Sequence, residues 1–192
     1  MKTIIAILYA HLVKRQNKKW IDNPIKWQTN TFKKLIKNGI KTEFGKNHDF
    51  ENINSYEQYK EKVPVRDYEE LRPYIEKIVN GENDILWPGK PLYFAKTSGT
   101  TSGAKYIPIT KESIKTHIRS ARDALLNYFL KTKNFKPLNG KHMFLQGSPE
   151  LDKKQGIYHG RLSGISAHYV PKLFLRNRKP SWTTNCLSLI HI

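Results

Sequence analysis

Apolar positions recur at helical spacing through the first ninety residues, and from Leu92 onward short apolar runs take over. Ile4, Ile5, Leu8 and Leu12 predict a first amphipathic helix with those side chains inward. Asn23-Pro24 is an N-cap and first-turn pair, after which Trp27, Thr31, Phe32, Leu35 and Ile36 share one helical face up to Asn38-Gly39. Ser55-Tyr56-Glu57-Gln58 has the form of a capping box and predicts a short helix that Pro64 ends. Asp67-Tyr68-Glu69-Glu70 starts another helical turn, and Pro73 is expected to break it or restart it before Tyr74, Ile75 and Ile78 pack as far as Asn80-Gly81.

Leu92–Ala95 and Tyr106–Ile109 read as strands. Thr110 then caps a long helix with Glu112 in its first turn. Its expected buried stripe is Ile114, Ile118, Ala121, Leu125 and Phe129, with Lys115, Arg119, Arg122 and Asn127 outward. Lys141–Gln146 reads as a buried strand closed by Gly147-Ser148-Pro149, and Ile157–Leu162 as another. Ser166–Phe174 reads as a short helix interrupted by Pro171. The expected fold class is α/β: a mostly helical layer over residues 1–90, then an α/β portion over 91–186 with a mixed β-sheet and helices.

Composition changes this picture little. The 192 residues are 38% hydrophobic and 11% aromatic, enough for a real core. Net charge is +18 and uneven: +9 over residues 1–48, −4 over 49–90 and +13 over 91–192. A nucleic-acid partner is one reading of that excess. The lysines are dispersed through amphipathic patterns, however, with no arginine-rich run, so a lysine-rich proteome, a polyanionic small ligand or a missing acidic half accounts for it equally well. One cysteine, Cys186, excludes a disulfide framework and suits a reducing cytosol, so the expected location is cytoplasmic. The apolar run Ile4–Ala10 is too short to span a membrane. Seven scattered histidines give no structural zinc site, and no Gly-x-Ser-x-Gly elbow supports a serine hydrolase. Arg161, Arg176 and Arg178 could meet phosphate but read as isolated surface arginines, and Tyr93, Phe94 and Tyr106 read as core.

The candidate chemistry lies between the two strands, in Lys96-Thr97-Ser98-Gly99-Thr100-Thr101-Ser102-Gly103-Ala104-Lys105. The stretch is too long for a plain hairpin turn and holds no apolar anchor. Gly99 and Gly103 let backbone approach a ligand closely, while hydroxyls, successive N–H groups and Lys105 form a set of donors suited to an anion. It is not a Walker A loop: three residues separate the glycines, Ala104 precedes Lys105, and Tyr106 opens a strand.

Thr97 through Gly103 match the phosphate-binding motif of acyl-adenylate-forming enzymes, Ser/Thr-Ser-Gly-Thr-Thr-x-Gly-x-x-Lys, and Lys105 suits its shorter variant. Together with Leu86–Lys96 and Lys105–Thr110, the stretch resembles the bacterial branch of the auxin-responsive promoter family, whose plant members are acyl-acid amido synthetases; the similarity runs from about Trp20 to Cys186. The resemblance implies the N-terminal part of an adenylate-forming large domain, ATP and Mg²⁺ as cofactors, and conjugation of a carboxylic acid to an amino acid or other acceptor. It implies that Ser98, Thr100, Thr101 and Ser102 bond phosphate oxygens, that Gly99 and Gly103 allow the wrap, that Thr97 shapes the entry, and that Lys105 offsets phosphate charge. Acyl-thioester synthesis and a basic nucleic-acid-binding module stand as alternatives; neither a nucleic acid nor a membrane is the expected partner. Family motifs for adenine, ribose, Mg²⁺ and the acid lie downstream, so the fragment is expected to be inactive and to lack its own C-terminal half. Leu187-Ser188-Leu189-Ile190-His191-Ile192 is what ctg-tct-ctt-ata-cac-atc encodes, a transposase adapter end, and is expected to be non-biological.

Overall fold

The computed structural model describes residues 2–97, 105–144, 146–171, 175 and 177–186. Five helices come first: α1 (Lys2–Ile21), α2 (Pro24–Gly39), α3 (Glu43–Asn47), α4 (Tyr56–Lys62) and α5 (Tyr68–Val79). Strands β1 (Tyr93–Lys96) and β2 (Tyr106–Ile109) follow, then α6 (Lys111–Thr132), β3 (His142–Met143), β4 (Asp152–Lys154), β5 (Ile157–Gly160), α7 (Leu162–Ala167), β6 (Arg178–Lys179) and α8 (Trp182–Cys186). One sheet has the order β2-β1-β5-β4, and β3 pairs with β6 separately. The chain forms two compact units, Asn23–Thr110 with Lys153–Tyr158, and Met1–Asp22 with Lys111–Asp152 and His159–Ile192.

In the first of these units the local sequence signals translate directly into structure. Ser55 accepts a hydrogen bond from the Gln58 amide at 3.2 Å, and the Gln58 side chain accepts one from the Ser55 amide, so both arms of the capping box are made. Asp67 and Glu70 form a second box at the start of α5. Pro73 does not break α5, contrary to the sequence expectation. Pro73 and Glu69, whose carbonyl loses its helical partner, are both exposed, so water can satisfy the freed group. The core joins Ile75 and Ile78 of α5 to Ile85, Phe94 of β1 and Ile157 of β5, with Tyr68, Tyr74 and Tyr106 packed against it. A second cluster gathers Ile36, Phe50 and Ile53 with Phe32, Phe44 and Tyr59. In α2 the inward face is therefore Phe32 and Ile36, while Trp27 and Leu35 stay exposed. Gly39 lies inside α2 because a Cβ there would stand 2.7 Å from the Phe50 ring.

The other unit departs further from its periodicity. Ala10 and Val13 of α1 pack on Leu126 and Phe129 of α6, with Leu130 and Phe135 beside them. Ile4, Ile5, Leu8 and Leu12, expected inward, are each about 60% exposed. In α6, Ile114 and Phe129 are buried as expected, but Leu126 replaces Leu125, and Ala121 faces out. The expected strand 141–146 is reduced to His142–Met143, and Met143 is exposed. The helix expected over Ser166–Phe174 is displaced: α7 runs Leu162–Ala167, with Arg161 in extended backbone at its N-cap, and residues 172–174 lie outside the described residues.

Candidate functional site

The candidate loop is mounted on an antiparallel ladder in which Tyr93 pairs with Ile109, Phe94 with Pro108, Ala95 with Ile107 and Lys96 with Tyr106. One further bond, from the Thr97 amide to the Lys105 carbonyl at 3.1 Å, closes the mouth. The ladder is anchored from below: Phe94 is fully buried, and its ring meets that of Tyr106 edge-on at 5.7 Å. Burial of one such side chain contributes about 1.5–3 kcal/mol.

Thr97 and Lys105 thus stand at the two posts of the loop. Ser98, Gly99, Thr100, Thr101, Ser102 and Gly103, the other candidate phosphate ligands, lie outside the described residues, as does Ala104. Lys105 is half-buried, and its ammonium sits 5.2 Å from the centroid of the Tyr68 ring. Among the described residues no carboxylate pairs with it. Tyr68 does a second thing: its hydroxyl accepts the hydrogen bond of the Tyr106 amide at 2.8 Å. A single residue at the first turn of α5 therefore fixes the start of β2 and carries the lysine that precedes it. Sequence reasoning missed Tyr68, because a tyrosine after an Asp cap reads only as the start of a helix. The cation–π contact contributes about 0.5–2 kcal/mol according to how far it is desolvated.

Of the arginines considered for phosphate, Arg161 is exposed and Arg176 lies outside the described residues. Arg178 contradicts the surface reading: it is only 5% exposed, and its Nε, Nη1 and Nη2 are all buried without a hydrogen-bond partner among the described residues. Its guanidinium carbon stands 5.8 Å from the ring centroids of both Phe144 and Trp182. Burial pushes its pKa below the ordinary arginine value. Two cation–π contacts at about 2 kcal/mol each do not clearly offset a desolvation cost of several kcal/mol for one buried ion. Arg122, expected to face outward, is half-buried and engaged: it donates to Asp123 at 2.7 Å and to the Tyr9 hydroxyl at 2.8 Å. Burial lowers its pKa, but the hydrogen bond and charge of Asp123 outweigh that and the net shift is upward.

Among the described residues no group of His, Cys, Asp or Glu could hold a metal ion. No described helix is long and apolar enough to cross a membrane.

The α/β fold that holds this strand pair is also found among solved structures. The solved structure of the GH3.15 acyl acid amido synthetase superposes on 84% of this chain with a TM-score of 0.69 at 23% identity, and the match covers 29% of that protein. The structure of that protein with 2,4-DB gives a TM-score of 0.64 over 83% of the chain. Residues 13–186 match the model of the GH3 family N-terminal domain, and the chain belongs to the GH3 family. It is 29% identical over 133 residues to a jasmonoyl-L-amino acid synthetase from Oryza sativa subsp. japonica, covering 68% of this chain and 22% of the relative. A probable indole-3-acetic acid-amido synthetase from the same plant is 30% identical over 130 residues, 65% of this chain and 26% of the relative. The chain therefore spans about a quarter of the length of these relatives.

Proposed function

We propose that this chain is the triphosphate-binding part of an ATP-dependent ligase that joins a carboxylic acid to an amino acid through an acyl-adenylate. The observation that carries the reading is the ladder closed between Thr97 and Lys105, with the lysine poised on Tyr68 and free of any carboxylate among the described residues. Family membership and the amido-synthetase activity of the relatives point to the same chemistry. A carboxylate oxygen of the acid bonds to the α-phosphorus of ATP as the bond to pyrophosphate breaks; the amine nitrogen then bonds to the acyl carbon, AMP leaves, and the nitrogen loses a proton.

In that scheme this chain contributes position and charge. The Lys105 ammonium would leave the Tyr68 face for the leaving pyrophosphate oxygens, giving up a weak contact for a charge-assisted hydrogen bond. Ser98, Thr100, Thr101 and Ser102 would supply hydroxyl and amide donors, Gly99 and Gly103 room for the backbone to close in, and Thr97 the entry post. The described residues offer no His, Cys, Asp or Glu ligand set for Mg²⁺. Lys105→Ala in a catalytically complete enzyme should cost roughly 3 kcal/mol of transition-state stabilisation, the scale of one lost oxyanion donor.

Titration of the 192-residue chain with ATP and with pyrophosphate, for wild type and Lys105→Ala, tests the reading. The expected result is saturable binding by wild type, weakened about tenfold or more in the variant. Equal binding by both would remove Lys105 from the site, and steep salt-dependent affinity for DNA or RNA without ATP binding would favour a nucleic-acid module instead. The chain by itself is expected not to exchange pyrophosphate into ATP; exchange would show that the further length its relatives have is dispensable for that step.

A further inference from the structure

The structure assigns a second anion site, distinct in its residues from the Thr97–Lys105 loop: we propose that Arg178 holds an oxyanion of carboxylate or phosphate type. Strands β3 and β6 pair in parallel, His142 against Arg178 and Met143 against Lys179, and the Phe144 amide continues the pairing by donating to the Lys179 carbonyl at 2.9 Å. This register puts the Arg178 side chain beside Phe144, while Trp182 approaches from the first turn of α8. The guanidinium is itself buried, and the two rings offer it no oxygen. Three nitrogens, with five N–H groups among them, have no acceptor among the described residues.

A planar fork of donors in a water-poor apolar setting is matched by a carboxylate or phosphate that accepts two parallel hydrogen bonds. The half of the chain that holds Arg178 offers few such groups. From residue 91 to 192 it has 17 basic residues and only 4 acidic ones, Glu112, Asp123, Glu150 and Asp152. Asp123 is already held by Arg122 and Asn17, and among the described residues no carboxylate pairs with Arg178. A second buried donor without a partner among the described residues, Nε2 of Gln146, lies two residues beyond Phe144 in the sequence. The anion therefore comes from outside the described residues. The site stands on Arg178 and its surroundings, so it does not depend on the reading of the Lys105 loop.

The test is thermal unfolding of the full chain in acetate and, separately, in phosphate, each against chloride at equal ionic strength, for wild type, Arg178→Met and Lys179→Met. Chloride matching removes general screening of a chain with net charge +18. Wild type and the Lys179→Met control should show a saturable, anion-specific rise in midpoint; at an anion concentration 100 times its dissociation constant the folded-to-unfolded ratio rises about 100-fold. Arg178→Met should lose that rise. Which anion acts shows whether the site prefers carboxylate or phosphate. No anion-specific rise in wild type, or an equal rise in Arg178→Met, overturns the proposal. Should Arg178→Met fail to fold, the arginine Nε–H resonance of wild type that is absent from Arg178→Lys gives a second reading: a saturable shift with the anion supports the site, and an unmoved resonance rejects it.

Discussion

Lys105 and Arg178 both carry a cation over aromatic rings, but they sit in opposite solvent environments. Lys105 is half-buried, keeps water within reach and rests on one ring at 5.2 Å. Arg178 is 5% exposed and rests on two rings at 5.8 Å with no acceptor for its N–H groups among the described residues. The first arrangement suits a charge that changes partner when a ligand arrives, because leaving the ring costs little. The second suits a charge that stays where it is and receives a partner, because solvation no longer competes. On the proposed reading, the same contact type serves a movable cation in one region and a fixed one in the other.

The largest effect on this contrast should come from removing what the Lys105 ladder stands on. Phe94→Ala deletes a fully buried ring from the cluster of Ile75, Ile78, Ile85 and Ile157, and should cost about 3–5 kcal/mol in a urea unfolding titration. A cost below about 1 kcal/mol would show that the core does not depend on β1. Tyr68 separates the two functions assigned to it. Tyr68→Phe keeps the ring under Lys105 and removes only the acceptor of the Tyr106 amide, for an expected loss of about 1 kcal/mol in stability with ATP affinity little changed. Tyr68→Leu removes the ring too and should also weaken ATP binding; equal ATP affinity in the two variants would mean that the ring does not position the lysine.

The smallest expected effect concerns an exposed ion pair, the reference for what a charge contributes when water is plentiful. Asp49 accepts from Lys62 and from Asn52 at 2.6 Å, and these partners hold its carboxyl below the ordinary 3.8, Lys62 contributing most. A lowered folded-state value means that the stabilisation is fully present above pH 3.8 and is lost as pH falls through the folded-state value. Asp49→Asn should therefore narrow the drop in urea midpoint between pH 6 and pH 3 slightly, leaving the rest of the profile alone. An unchanged drop would mean that the pair contributes nothing measurable, as many exposed pairs do.

What could be read from the sequence was what is decided locally. The capping boxes at Ser55 and Asp67 depend on side chains three residues apart, and both form. The strands flanking the loop, with Phe94 and Tyr106 as core, depend on short apolar runs, and both pair as expected. The faces of α1 and α6 were not legible, because α1 carries Ile4, Ile5, Ile7, Leu8, Leu12 and Val13 nearly all around, so its own periodicity cannot say which side meets a partner. Small Ala10 and Val13 won because they admit the close approach of Leu126 and Phe129. Arg178 was not legible either, since its burial follows from pairing between strands 36 positions apart and not from any neighbour in sequence. Of the loop, only the posts at Thr97 and Lys105 fall among the described residues.

The central claim is that the stretch between those posts wraps the phosphates of a nucleotide, and amide hydrogen exchange of the 192-residue chain with and without millimolar ATP tests it most directly. The account predicts slowed exchange across Thr97–Lys105 on adding ATP or pyrophosphate, absent in Lys105→Ala and absent elsewhere in the chain. Unaltered exchange across Thr97–Lys105 at saturating ATP, with the chain folded, would contradict it.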